Sequence, residues 1–303
     1  MTFSARVKAE LCRTGLNRAC CAAAEAYGVL LYANTFSAKE IKIITASPDF
    51  AQRLPRLWKR AFGADSGFDA VSANTGSKTV FSMQDAEKIR TVFARYGYDA
   101  AATVAHHINL GMLEEDCCRV SFLRGAYLAG GSITDPEKGY HLELVTDHKN
   151  VSGEMFSILL ELGFSPKDTM RAGHYVIYFK QSEAIEDFFT LIGAPNAAME
   201  IMSAKVEKDM RNAVNRRVNC DSANADKIVS AAQAQLEQIR KIERETGLEN
   251  LPEDLREVAL LRIANPEASL ADLALLSPGG MSKSGINHRM RKLMAYKADV
   301  AQD

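Results

Sequence analysis

Residues 117–144 read CCRVSFLRGAYLAGGSITDPEKGYHLEL. The spacing predicts a long helix from Cys118 to Ala129, a sharp break at Gly130-Gly131, then a strand over His141–Thr146. Gly125, Ala129, Gly130 and Gly131 place small residues on one helical face, where a second backbone can approach closely. A partner helix of the same design lies earlier in the chain, where residues 20–35 read CCAAAEAYGVLLYANT. Aligning Cys20-Cys21 with Cys117-Cys118 sets an offset of 97 residues (117 minus 20). That offset puts Gly28 on Gly125, Leu31 on Leu128, Ala33 on Gly130, Asn34 on Gly131 and Thr35 on Ser132. The pattern reads as a divergent internal duplication built round two paired helices.

The rest of the first 196 residues follows the same plan twice. In the first half, Ile41–Thr45 reads as a strand and Pro48–Phe62 as an amphipathic helix. Phe68–Ser72 and Thr79–Met83 read as a hairpin about the turn Asn74-Thr75-Gly76, followed by a helix from Asp85 to Tyr96. In the second half, Val151–Leu162 reads as a helix. Met170–Lys180 supplies strands about Ala172-Gly173, and Ser182–Leu191 forms a helix closed by Gly193. Each half is therefore helix, strands, helix, hairpin, helix. Strands and helices do not alternate strictly, so the expected class is α+β, a saddle of two antiparallel sheets, with no doubly wound parallel sheet.

Composition narrows the function classes. Apolar residues make up 47 % and charged residues 25 % of the 303, the balance of a globular protein with room for one to three domains. No apolar run reaches membrane-spanning length and the N-terminus lacks a signal-peptide pattern, so a cytoplasmic chain with no membrane partner is expected. The six cysteines (Cys12, Cys20, Cys21, Cys117, Cys118, Cys220) contain no CxxC, and the six histidines are scattered. They read as reduced thiols, and neither a metal site nor another cofactor is expected.

The segment Phe122-Leu-Arg-Gly-Ala-Tyr-Leu-Ala-Gly-Gly-Ser132 resembles the motif helix of the LAGLIDADG homing endonucleases. The resemblance implies two such helices side by side and two β-saddles laid along the DNA major groove. Catalysis in that family needs an acidic residue at the end of each motif helix, because divalent metal at a scissile phosphate takes carboxylate oxygens. Here the two acid positions are Ala33 and Gly130, which offer no metal ligand; Asn34 and Asp135 lie nearby but out of register. The expectation is a nuclease scaffold without its chemistry, and no catalytic or metal-binding residue.

The full chain is similar to the WhiA family. The matching segments are RGAYLAGGSITDPEKGYHLEL at 124–144, IGAPNAAMEI at 192–201, DMRNAVNRRVNCDSAN at 209–224 and SKSGINHRMRKL at 282–293. The resemblance implies a degenerate LAGLIDADG-type domain followed by a helix-turn-helix domain. It also implies a transcriptional regulator of sporulation in some lineages, and of cell division and chromosome segregation in others. Double-stranded DNA is then the expected partner, with a second transcription regulator or RNA polymerase as candidate protein partners and the nucleoid as the site of action.

The C-terminal residues carry their own signal. The expected division is a LAGLIDADG-like domain over 1–196, a linker over 197–220 and a helical domain over 221–303. Ala225–Thr246 reads as a helix with Ile228, Ala232, Leu236, Ile239 and Ile242 on one stripe, ended by Gly247. Pro252 opens a helix over Glu253–Ala264. Ser269-Leu-Ala-Asp272 has the form of a capping box and starts a short helix to Leu276. Ser277-Pro-Gly-Gly280 is the turn, and Ser282 or Ser284 caps a last helix running to about Lys297, with Ile286, Met290, Leu293 and Met294 as its core stripe. Between Leu273 and Ala298 there is no acidic residue, whereas Lys283, Arg289, Arg291, Lys292 and Lys297 occur there. Short helix, glycine turn and basic helix form a helix-turn-helix pattern. The expected DNA-binding residues are Ser282, Lys283, Ser284, Asn287, His288, Arg289, Arg291 and Lys292. Arg211, Arg216 and Arg217 are candidates for secondary phosphate contacts, the alternatives being a solvated helix face or an interdomain polar network. Two other readings stand beside DNA-binding regulator: an active endonuclease, disfavoured by Ala33 and Gly130, and a saddle serving only to bind protein.

Overall fold

The computed structural model describes residues 1–64, 67–74, 78–100 and 105–296. Thr75, Gly76 and Lys297, singled out above, lie outside them. The chain divides into two compact units, Met1–Lys208 and Asp209–Asp303.

Unit 1 begins with helix α1 (Phe3–Leu11) and then repeats one plan. The first copy is α2 (Ala19–Leu31), β1 (Thr35–Phe36), β2 (Ile41–Thr45), α3 (Pro48–Phe62), β3 (Ala70–Asn74), β4 (Lys78–Met83) and α4 (Ala86–Arg95). The second is α5 (Asp116–Gly130), β5 (Gly131–Ile133), β6 (Leu142–Thr146), α6 (Lys149–Glu161), β7 (Lys167–Arg171), β8 (His174–Phe179) and α7 (Ser182–Ile192). Both sheets are antiparallel, in the orders β1-β2-β4-β3 and β5-β6-β8-β7. Register repeats too: Phe36 pairs with Ile41 as Ile133 pairs with Leu142, and Ile41 with Met83 as Leu142 with Phe179. Phe36 and Ile133 keep the 97-residue offset, so it runs unbroken from the cysteine pairs through the first strand. The loop after it is longer in the second copy.

The paired helices form the centre. A Cβ on Gly28 would lie 2.8 Å from the Ala126 amide nitrogen and closer still to the Phe122 carbonyl oxygen. A Cβ on Gly125 would lie 3.0 Å from the Val29 nitrogen and 2.9 Å from the Glu25 carbonyl carbon. Phe122 and Ala126 are the offset equivalents of Glu25 and Val29, so the crossing is two-fold symmetric in register. Only glycine allows backbones this close. Apolar α2 and α5 side chains, with Phe3, Leu54, Trp58, Phe93, Leu142, Phe188 and Phe189, complete one core.

Three features differ from the sequence reading. The two- and three-residue strands β1 and β5 have no period to read, and Gly131 opens β5 where a break was expected. Strand β7 starts at Lys167, three residues before the expected start, and its residues are all exposed, so no apolar alternation marks it. The helix expected over Ala225–Thr246 begins at Pro195, so that residues 197–220, expected as a linker with a solvated helix face as one reading, lie within α8 (Pro195–Glu245). Ala172 (φ 52°) and Gly173 (φ 86°) form the β7–β8 turn with two positive φ values, the twist that suits a two-residue hairpin.

Unit 2 contains the C-terminal part of α8, a 3-10 turn at Leu248–Asn250, α9 (Glu253–Ala264), α10 (Leu270–Leu276) and α11 (Lys283–Ala295). Its core joins Ile239 and Ile242 of α8 with Leu255, Val258, Leu273, Ile286, Met290 and Leu293. Ile228 and Met294, expected on the apolar stripes, are exposed, and Leu236 is half-buried; its neighbour Gln235 turns inward. Among the described residues no helix is long and apolar enough to cross a membrane.

Candidate nucleic-acid interface

The terminal helix-turn-helix is built from local signals. Ser269 accepts from the Asp272 amide while the Asp272 carboxylate accepts from the Ser269 amide, closing a capping box on α10. The carboxylate also takes the Ser269 hydroxyl, and these hydrogen bonds lower the Asp272 pKa. The turn carries Gly280 at φ 64°, a conformation costly for any residue with a side chain. Ser282 then caps α11, accepting from the Gly285 amide at 3.2 Å. The helix ends at Ala295, two residues short of Lys297.

Ile286, Met290 and Leu293 face the core and fix which side of α11 meets solvent. Ser282, Lys283, Ser284, His288, Arg291 and Lys292 are exposed, and Asn287 is half-buried on the flank beside Lys283. Arg289 takes the other flank. It turns toward α9, with Nε 3.8 Å from the Asp254 carboxylate and its guanidinium against the Met281 sulfur. Lys283 stands at the N-terminal, positive end of the helix dipole, and Arg291 and Lys292 extend the exposed basic face toward the C-terminal end, an arrangement suited to a polyanion. Arg211, Arg216 and Arg217 lie on the exposed middle of α8.

A buried polar knot, missed in the sequence, carries this platform. Arg262 of α9 is 1 % exposed; it donates to Gln235 Oε1 at 3.1 Å and to the carbonyls of Asn265 and Ala268 at 3.2 and 2.6 Å. Burial lowers its pKa. The knot fastens α9 to α8 and to the turn that precedes α10. Its only sequence signal was a charged residue among apolar neighbours in Val258–Ala264.

At the ends of the motif helices the acid positions carry no carboxylate: one is the half-buried Ala33, the other Gly130. A Cβ on Gly130 would lie 2.8 Å from the Tyr32 ring and closer to the Val145 carbonyl oxygen, so no side chain fits there. Asn34 is occupied in the sheet, its Oδ1 accepting from the Ile44 amide at 2.7 Å; Asp135 accepts from the Glu137 amide in its own turn. Lys8 of α1 reaches the same region, donating to the Leu128 carbonyl at 3.0 Å over the Tyr127 ring. Burial brings its pKa down to about 8. Nothing in the sequence of α1 signalled that landing point.

Comparison with known proteins bears on both units. The family described as the WhiA LAGLIDADG-like domain matches residues 119–211, and that described as the WhiA C-terminal HTH domain matches residues 214–297. The chain is 40 % identical to the "Probable cell division protein WhiA" of Ruminiclostridium cellulolyticum over 97 % of this chain and 96 % of that one. It is similar to the full-length DUF199/WhiA crystal structure from Thermatoga maritima, with TM-score 0.60, 25 % identity and 97 % of each chain covered. A crystal structure of the N-terminal LAGLIDADG domain of DUF199/WhiA shares the fold at TM-score 0.50 and 20 % identity, covering 63 % of this chain and 90 % of that one. With that identity sustained over nearly its whole length, the chain belongs to the WhiA family.

Proposed function

We propose that the chain is a transcriptional regulator that reads double-stranded DNA through α11, holds a LAGLIDADG scaffold without nuclease activity, and serves cell division, chromosome segregation or sporulation. The observation that carries this reading is the exposed basic face of α11, held behind a buried stripe in a helix-turn-helix. The loss of cleavage is supported by Ala33 and by Gly130, where Tyr32 and Val145 occupy the space a carboxylate would need. The relatives' printed name supports the link to division. On this reading 1–196 is the scaffold, 197–220 a helical linker and 221–303 the DNA-binding domain. The protein works on the nucleoid in the cytoplasm, with a second regulator or RNA polymerase as its protein partner.

Roles divide by position. Lys283, Arg291 and Lys292 serve phosphates, Ser282, Ser284, Asn287 and His288 sit where base edges are reached, and Arg289 acts mainly on Asp254. Arg211, Arg216 and Arg217 add phosphate contacts. A mapped genomic site and a scrambled duplex, titrated across a salt series, test this. Lys292→Ala should weaken both duplexes and flatten the slope of log affinity against log salt by about one unit. Asn287→Ala should cost about 1–3 kcal/mol on the mapped site and little on the scrambled one. Equal losses on both duplexes for Asn287→Ala would remove it from base reading.

A further inference from the structure

The N-terminal ends of α2 and α5 hold a constellation that does not belong to DNA binding. Cys20 and Cys117 are the second residues of their helices, Cys21 and Cys118 the third. Helices crossing at Gly28 and Gly125 in the 97-residue register bring the two vicinal pairs to one point. The four sulfurs all lie within 4.8 Å of one another. All are free thiols: Cys118 is buried, Cys21 and Cys117 are half-buried, and Cys20 is exposed. The sequence reading assigned them no metal because it looked for spacing within one segment. The ligand spacing here lies across the duplication, and the signal was the alignment of the two Cys-Cys pairs.

We propose that Cys20, Cys21, Cys117 and Cys118 form a four-thiolate site for one zinc ion, seated on the pseudo-two-fold axis between the motif helices. The donor set is sulfur only, which selects a soft or borderline cation over magnesium or calcium. Tetrahedral zinc with Zn–S bonds of about 2.3 Å sets the sulfurs about 3.8 Å apart. The cage therefore needs to contract by no more than about 1 Å. A four-iron cluster puts its four thiolates on separate irons and needs a wider cage. On binding, the four thiol protons leave to solvent, and zinc with four thiolates carries a net charge of −2. Arg18, with Nη1 3.6 Å from Cys117 Sγ, and the positive ends of both helices offset that charge. With four protein ligands no position is open to substrate, so the site is structural: it clips the two halves together at the end of the helix pair remote from the acid positions.

Full-length protein purified without chelator, under reducing and oxygen-free conditions, should contain about one zinc per chain by elemental analysis. Exchange with cobalt should give the strong thiolate-to-metal bands of a tetrahedral site. Cys20→Ser/Cys117→Ser should bring metal content to near zero, and Cys220→Ser should leave it unchanged. Stripping zinc from the wild-type chain should lower its melting temperature, a readout that does not depend on any variant folding. A reduced wild-type chain that takes up neither zinc nor cobalt overturns the proposal, as does unchanged metal content in the double variant. Recovery of the four cysteines as cross-helix disulfides from acid-quenched cells also overturns it, because the cluster is then a redox pair.

Discussion

His148, one residue before α6, packs against His106 with ring centroids 4.6 Å apart. Burial and, after it, the His106 charge bring its pKa down to about 4, while Asp147 pulls the other way. His106, bonded to the Phe36 carbonyl at 2.7 Å, is lowered in the same direction by burial. In the unfolded chain a histidine takes up its proton near pH 6.5. Below that value the unfolded state binds more protons than the folded one. The stability that neutral His148 contributes is therefore complete above about pH 6.5 and is lost as pH falls toward 4. Melting temperature should drop across that window, and His148→Gln should make the drop shallower. An identical pH profile for the variant would mean that His148 titrates alike in both states. Residues such as this were the least legible in the sequence. Glu25 and Arg53, 1 % and 2 % exposed and bonded at 2.6 Å, are likewise a buried pair whose partners come from separate helices. Nothing local announces such a pairing.

Elements were legible where their causes are local. Pro48–Phe62 carries apolar residues at helical spacing behind the Ser47 cap, and α9 and α10 follow Pro252 and the Ser269–Asp272 box, so their bounds could be read directly. The α2–α5 pair was legible because glycine at Gly28 and Gly125 has one strong reason to sit in the middle of a helix. The continuation of α8 through 197–220 was not, because mixed charge on an exposed helix resembles a solvated linker. The helix pair makes its own prediction. Gly125→Leu forces the two backbones apart, at a cost of about 1–3 kcal/mol or more, and should melt clearly below wild type. Gly153→Ala, in open space on α6, should melt at or above wild type because alanine favours the helix. If Gly125→Leu melts with the wild type, the helices do not cross at that residue.

At the scale of the molecule, a duplicated α+β unit and a helical unit share one chain, and the acid positions and the basic helix belong to different units. The duplication was visible in the sequence because a single offset carried the two cysteine pairs, Gly28 on Gly125 and Leu31 on Leu128 together. The Tyr32 ring beside Gly130 was not, because that contact joins the end of one motif helix to the end of the other. The central claim is that this scaffold serves DNA recognition without cutting. Its most direct test is to incubate the full-length chain with supercoiled plasmid carrying a mapped site, in magnesium and in manganese, and to follow binding and strand breaks in the same samples. The account predicts saturable binding with every plasmid molecule left intact; metal-dependent double-strand cleavage that persists through repurification would contradict it.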